Sequence, residues 1–286
     1  MSPLEAADAL VHTREIIRNI TNKHGLRATF APRPFVTSAG TGAHAHISIH
    51  SRSGESKPRE SLASYETSFL AGDLEHLQAL AALALPIPAS FKRVEYGAFS
   101  GDSYVCWCAE KREVPICLVN ALSPTSRRFE MRFSDATANP YLVLAGILTA
   151  GIDGIRKKQE LTLKSCAGSP SEMSAEEREA LGITGRLPLT TQEARTFFEQ
   201  DEVFKKVFGD NFVTKYLSVN KVCSLCLVSR GANTNGLISC WEKYLRKVVA
   251  RERSCRAWWS FSRATILIQF NLGFFLERSI QLTVVM

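Results

Sequence analysis

The stretch GTGAHAHISIH, residues 40–50, carries three imidazoles and a hydroxyl at alternate positions. As a β-strand it has two faces: Ala43, Ala45, Ile47 and Ile49 on one, His44, His46, Ser48 and His50 on the other. The apolar face is core. The polar face has three readings: a solvated strand surface, a zinc grip by His44 and His46, which would lie about 6–7 Å apart, or a wall facing a phosphate-bearing ligand with a hard cation. The preceding Gly-Thr-Gly turn allows close backbone approach to such a ligand. A second stretch, RRFEMRFSD, alternates in the same way. Phe129, Met131 and Phe133 share one side; Arg128, Glu130 and Arg132 share the other. Two strands with apolar backs and ionisable fronts suggest one cleft floor, with carboxylate and imidazole for a metal and arginine for phosphate. Lys92, Arg93 and Arg112 could add to the same positive surround.

The elements around these strands are legible to different degrees. The first helix has a capping box from Ser2 to Glu5, Pro3 at its first position and Gly25 beyond its end, with an apolar stripe of Leu10, Val11, Ile17 and Ile20. LRATFAP reads as a short strand. SYETSFLAGDLEHLQALAALALPIP reads as one long helix, capped near Ser61 or Ser64 and ended by Pro86 and Pro88. DSYVCWCAE and EVPICLVN read as strands. NPYLVLAGILTAGIDGIRKK reads as a helix with Asn139 as cap and Pro140 at its first position. A loop around 165–174 leads to two short amphipathic helices, roughly 190–199 and 201–220.

Hydrophobic content of 45% and charged content of 22% are globular values for 286 residues. The net charge of +7 is unevenly spread: residues 223–286 hold nine Lys or Arg and three Asp or Glu, against 26 and 25 in 1–222. The body is near neutral, so net charge says little about its partners, and no nucleic-acid partner is expected. The apolar run from Ala264 to Leu276 is too short for a membrane span, which needs ~20 residues. The N-terminus lacks a charged-then-apolar signal layout, and eight cysteines without a small-domain framework suit a reduced, cytoplasmic protein. Residues 223–286 hold half the cysteines and three of the four tryptophans, follow no sustained period, and read as an unrelated basic tail, disordered or mis-spliced.

PRPFVTSAGTGAHAHISI, PASFKRVEYGAF, EKREVPI and RRFEMRFSDATANPYLVLAGILTAGIDGI occur in the order and spacing of the glutamine synthetase catalytic domain, which residues 2–221 resemble. The resemblance is closest to the fungal FluG-like branch. It implies an α+β fold, a largely antiparallel sheet lining the active site with flanking helices. It also implies an ATP-dependent ligase that joins ammonia or an amine to glutamate or a related acid through γ-glutamyl phosphate, with Mg²⁺ or Mn²⁺. By motif, His44 and Glu130 resemble ligands of one metal, while His46, Ser48 and Arg128 resemble ATP contacts. Gly40, Arg93 and Arg132 resemble substrate contacts, and Arg112 the residue that stabilises the transferring phosphoryl group, with Arg93 beside it in catalysis. Oligomers with glutamine-synthetase-like chains are the implied assemblies.

The departures shape the expectation as much. The family's remaining metal carboxylates lie N-terminal to the helix that begins here at Ser2, so the 286 residues read as an incomplete catalytic domain. Cys117 stands where the family has an ATP-binding arginine, and Ala39 where many members have asparagine. Glu95 lies too near Arg93 to match the family's substrate-closing glutamate. The expectation is low or no ligase activity, the alternative being a non-catalytic or regulatory partner of full-length glutamine-synthetase-like proteins.

Overall fold

A computed structural model of the chain describes residues 1–33, 35, 40–51, 61–94, 103–111, 113–229 and 280–285. In chain order the elements are α1 (Pro3–Lys23), β1 (Ala45–Ser51), α2 (Ser64–Glu75), α3 (Leu77–Ala84), α4 (Pro88–Val94), β2 (Trp107–Ala109), β3 (Ile116–Val119) and β4 (Arg128–Met131). After these come α5 (Pro140–Lys157), α6 (Ala175–Ala180), α7 (Thr191–Gln200), α8 (Glu202–Phe208), α9 (Asp210–Ser229) and β5 (Ile280–Val285). The fold is α+β. One sheet in the order β2-β3-β4-β1-β5 is antiparallel except at β2 and β3, and helices cover its apolar face.

The period-2 pattern decides which side of the sheet is core. Ala45, Ile47 and Ile49 of β1 and Phe129 and Met131 of β4 are buried, and the β4 ring of Phe129 stacks on Phe69 of α2 at 6.2 Å. Helices α2 and α5 form the layer behind them. Their backbones meet at glycines: a Cβ on Gly154 would come within 2.1 Å of the Ser68 carbonyl, so no larger residue fits that crossing. Asn139 caps α5 by accepting from the N–H groups of Tyr141 and Leu142, with Pro140 at its first turn as anticipated. The Ser2–Glu5 capping box likewise starts α1.

Several elements depart from the sequence reading. LRATFAP forms no strand, because none of its residues pairs with a ladder among the described residues. The α1 stripe is only partly used: Ala6 and Ala7 are buried, whereas Ile17 and Ile20 are exposed. The long helix splits at His76, whose backbone (φ −95°, ψ 4°) leaves the helical well. Its ring meets the Asp201 carboxylate at 2.6 Å and lies 3.8 Å from Asp153 on α5. Asp201 also accepts from the N–H groups of Val203 and Phe204, capping α8, so one histidine ties the helix break to two neighbouring helices. The 201–220 segment divides at Gly209, whose positive φ of +85° is readily adopted by glycine and ends α8. α9 then continues to Ser229, and β5 pairs with β1 from His46↔Val285 to Ser51↔Ile280. Apart from β5, residues beyond 229 lie outside the described residues.

One buried ion pair locks the sheet to α2. Arg127, the residue just before β4, donates to Glu66 at 2.6 Å and to the carbonyls of Ser61 and Ala121, and both charged side chains are almost fully buried. Arg127→Met would strand a buried carboxylate and should cost about 3–5 kcal/mol in urea unfolding, with the Arg127→Met/Glu66→Leu double variant recovering most of it. A loss of about 1 kcal/mol or less would mean the pair behaves as an exposed one.

His76 supplies a pH signature. Burial lowers its pKa, but the hydrogen bond to Asp201 and the charges of Asp201, Glu75 and Asp153 outweigh that, so it is raised above 6.5 in the fold. The protonated ring therefore stabilises the fold fully below pH 6.5, and this contribution fades as pH rises through the folded pKa. The stability gap between the wild type and His76→Gln should be widest at acidic pH and narrow toward alkaline pH in denaturation series. A gap that is flat or widens with pH would contradict this.

Candidate active site

The polar faces of β1 and β4 form one wall because their pairing sets His46 opposite Glu130, with Ala45 opposite Met131 and Ile47 opposite Phe129. On the far side of β4, Cys117 of β3 stands opposite Glu130. These strands floor an open cavity of about 560 Å³ lined by His44, His46, Glu110, Cys117, Val119, Arg128, Glu130 and Arg132.

Glu130 is its centre. One carboxylate oxygen, Oε1, lies 2.6 Å from Nη1 of Arg132 and 3.0 Å from Nδ1 of His44, and the two nitrogens are 3.3 Å apart. Burial alone would raise the Glu130 pKa, but Arg132, His44 and His46 together hold it below the ordinary carboxylate value. His44 is pushed the other way. Burial first, then the Arg132 charge, lower its pKa to about 4 against the pull of Glu130. The contact between them at neutral pH is therefore a hydrogen bond to a neutral imidazole and not an ion pair, and a neutral imidazole is a competent metal ligand. Arg128 donates from Nε to Nδ1 of His46 at 3.2 Å and from Nη1 to the Ser126 carbonyl, so it turns the His46 ring. His46 also has a lowered pKa, through burial and then Arg128 and Arg132 acting against Glu130.

Other anticipated residues fall elsewhere. Arg93 is fully buried on α4 and donates from Nη2 to the carbonyls of Arg132 and Ser134, which fixes the end of β4 from behind the cavity. Gly40 packs on it: a Cβ there would lie 2.6 Å from Cγ of Arg93. Ser48 pairs with His50 at 3.1 Å and does not line the cavity. Arg112, Ala39 and Glu95 lie outside the described residues. Cys117 does line the cavity, and burial followed by Glu130 and Cys108 raises its pKa to about 11, so it presents a neutral thiol where a guanidinium was expected by resemblance.

Glu110 had no assigned role, yet it reaches the same cavity. Its φ of 62° bends the chain at the end of β2, and its Oε1 accepts from the Ala121 N–H. Only its place in EKREVPI, directly after a strand, hinted at it. Among the described residues no three His, Cys, Asp or Glu side chains cluster so as to hold a metal ion. That leaves the zinc grip of His44 and His46 without further ligands. What the wall offers is a carboxylate beside a neutral imidazole, flanked by two guanidiniums. This can share a cation with external oxygens and bind an anion beside it.

Comparison with known proteins gives that wall a context. The glutamine synthetase catalytic-domain family matches residues 1–223. The chain belongs to the glutamine synthetase family. It is 39% identical over 220 residues to the fluG protein of Emericella nidulans, covering 77% of this chain and 24% of that protein. It is 35% identical over 228 residues to the glutamine synthetase of Methanocaldococcus jannaschii, covering 76% and 48%. Among solved structures, a GmaS/ADP complex is 26% identical with a TM-score of 0.66, over 78% of this chain and 51% of the other. The chain thus spans about half the length of the glutamine synthetases it matches, and a quarter of the fluG protein. No described helix is long and apolar enough to cross a membrane.

The Gly-Thr-Gly turn bears directly on His44. A Cβ on Gly42 would lie 2.5 Å from Nε2 of His44, so only glycine lets the ring lie flat against Glu130. Gly42→Ala should push the ring toward solvent and relieve its burial. In a histidine NMR titration the His44 midpoint, about 4 in the wild type, should then move up toward 6.5. An unchanged midpoint would show that the turn does not position the ring.

Proposed function

We propose that the chain is a glutamine-synthetase-type ligase domain whose β1–β4 wall binds the polyphosphate of ATP with one Mg²⁺ or Mn²⁺. The family reaction would join ammonia, or an amine, to glutamate or a related amino acid through a γ-glutamyl phosphate. The observation that carries the reading is the single carboxylate of Glu130, held ionised next to the neutral imidazole of His44, with Arg128 and Arg132 on either side. His44 and Glu130 fit a cation that keeps water and phosphate oxygens for its remaining positions, as Mg²⁺ and Mn²⁺ do. When bound, that ion would neutralise phosphate charge. Arg128 would anchor a phosphate while holding His46 in place, and Arg132 would offer a two-pronged donor to a carboxylate or phosphoryl oxygen. Arg93 would act through the backbone it fixes, and Arg112 and Gly40 would keep the roles their motifs imply.

The same features limit the chemistry. Phosphoryl transfer relies on dense charge neutralisation, and family members use two metal ions. Among the described residues only His44 and Glu130 stand together as donors, no group of three His, Cys, Asp or Glu could hold an ion, and Cys117 brings no positive charge. We therefore expect weak nucleotide binding and little or no ligase turnover from the 286-residue chain. Calorimetric titration with ATP and Mn²⁺ should detect binding that Arg128→Ala weakens roughly tenfold or more, the size of a charge-assisted hydrogen bond of ~1.5–3 kcal/mol. Glutamate-dependent phosphate release at an ordinary enzymatic rate would overturn the low-activity reading, and binding indifferent to Arg128 would overturn the site.

A second reading has its own observation. Ile16, Ile17 and Ile20 make an exposed apolar patch on α1, in a chain half the length of its glutamine synthetase relatives. Docking onto glutamine-synthetase-like chains, as a homo- or hetero-oligomer and without catalysis of its own, would cover it. Co-elution with a full-length relative supports this reading, and a monomer that stays separate from it counts against. Cys106, Cys108, Cys117, Cys166 and Cys223 are buried in the fold, and a reduced, cytoplasmic setting suits them.

A further inference from the structure

Arg132 and Glu130 leave the same strand two residues apart, so their pairing is built into β4 and needs no other element. The guanidinium nitrogen touches both groups that would hold a cation: 2.6 Å from the Glu130 carboxylate and 3.3 Å from the His44 imidazole. The side chains of Glu130 and Arg132 are each only 10% exposed, so water screens their attraction poorly. We propose that Arg132 is an internal counter-cation that closes the metal position, and that metal binding and the release of Arg132 toward an anionic substrate group are one coupled event. This rests on the reading of His44 and Glu130 as cation ligands.

The physical argument is competition followed by transfer. A divalent ion and a guanidinium repel one another and cannot both sit against one carboxylate oxygen without large cost. An ion seated between His44 and Oε1 of Glu130, the oxygen that Arg132 holds, must therefore displace Arg132, and the displaced guanidinium loses its carboxylate partner in a mostly buried wall. An incoming carboxylate or phosphoryl group replaces that partner. Anything that holds Arg132 away from Glu130 helps the ion, and the ion in turn helps the anion, by the same factor. The wall would then resist binding a cation alone and take up cation and anion together.

The test is Mn²⁺ binding to the 286-residue chain, read from the loss of the free-ion paramagnetic resonance signal, with L-glutamate as the anionic probe. Arg132→Met should bind Mn²⁺ about tenfold more tightly than the wild type, within the usual range of coupling between sites. Saturating glutamate should tighten Mn²⁺ binding in the wild type and have no such effect in Arg132→Met. Glu130→Gln should weaken Mn²⁺ binding in both backgrounds. Arg132→Gln, equally uncharged, serves where circular dichroism shows the methionine variant misfolded. If both Arg132 variants bind Mn²⁺ no better than the wild type while Glu130→Gln still weakens it, the counter-cation role falls and the metal site stands. If Mn²⁺ binding is absent, or indifferent to Glu130→Gln, the metal reading falls and this proposal with it.

Discussion

The antiparallel register of β1 and β4 is the constraint on which the rest of the structure depends. Because side chains alternate, setting Ile47 opposite Phe129 on the core face places His46 opposite Glu130 on the other. A slip of one residue would bury imidazoles and carboxylate among the helices and turn the isoleucines to water. Core packing and site assembly are thus one condition, and the hydrophobic face enforces the chemical one. Helices α2 and α5 hold that face. They approach closely at Gly72 and Gly154, stack Phe69 on Phe129, and bind the entry of β4 through the buried Arg127–Glu66 pair.

Electrostatics on the open face follow from two carboxylates, Glu110 and Glu130, facing two guanidiniums and two imidazoles. Burial favours neutral histidines and the arginines favour them further, while Arg132 and the histidines hold the Glu130 pKa below the ordinary carboxylate value. Arg128 and Arg132 are the groups there that an anionic ligand would meet, and Cys117 on the neighbouring strand is a neutral thiol that adds no charge.

The sequence by itself determined the two alternating strands, the capped helices α1 and α5, the fold class and the family resemblance, because these rest on local rules: period, capping residues and ordered motifs. Adjacent Arg127 and Arg128 show the limit of those rules. The alternation placed Arg128 on the reactive face, but only Glu66, 61 residues earlier in the chain, reveals Arg127 as a buried anchor. The break at His76 was invisible for the same reason, since the helical pattern runs through it and Asp201 and Asp153 come from distant segments. Tertiary structure also set Arg93 against the backbone carbonyls of Arg132 and Ser134, and Ser48 against His50. It brought Glu110 to the cavity and set Arg132 against the carboxylate that a cation would use. Spacing along a strand specifies which face a side chain leaves from. Which neighbour it then meets depends on how distant strands and helices pack, and only the folded chain contains that information.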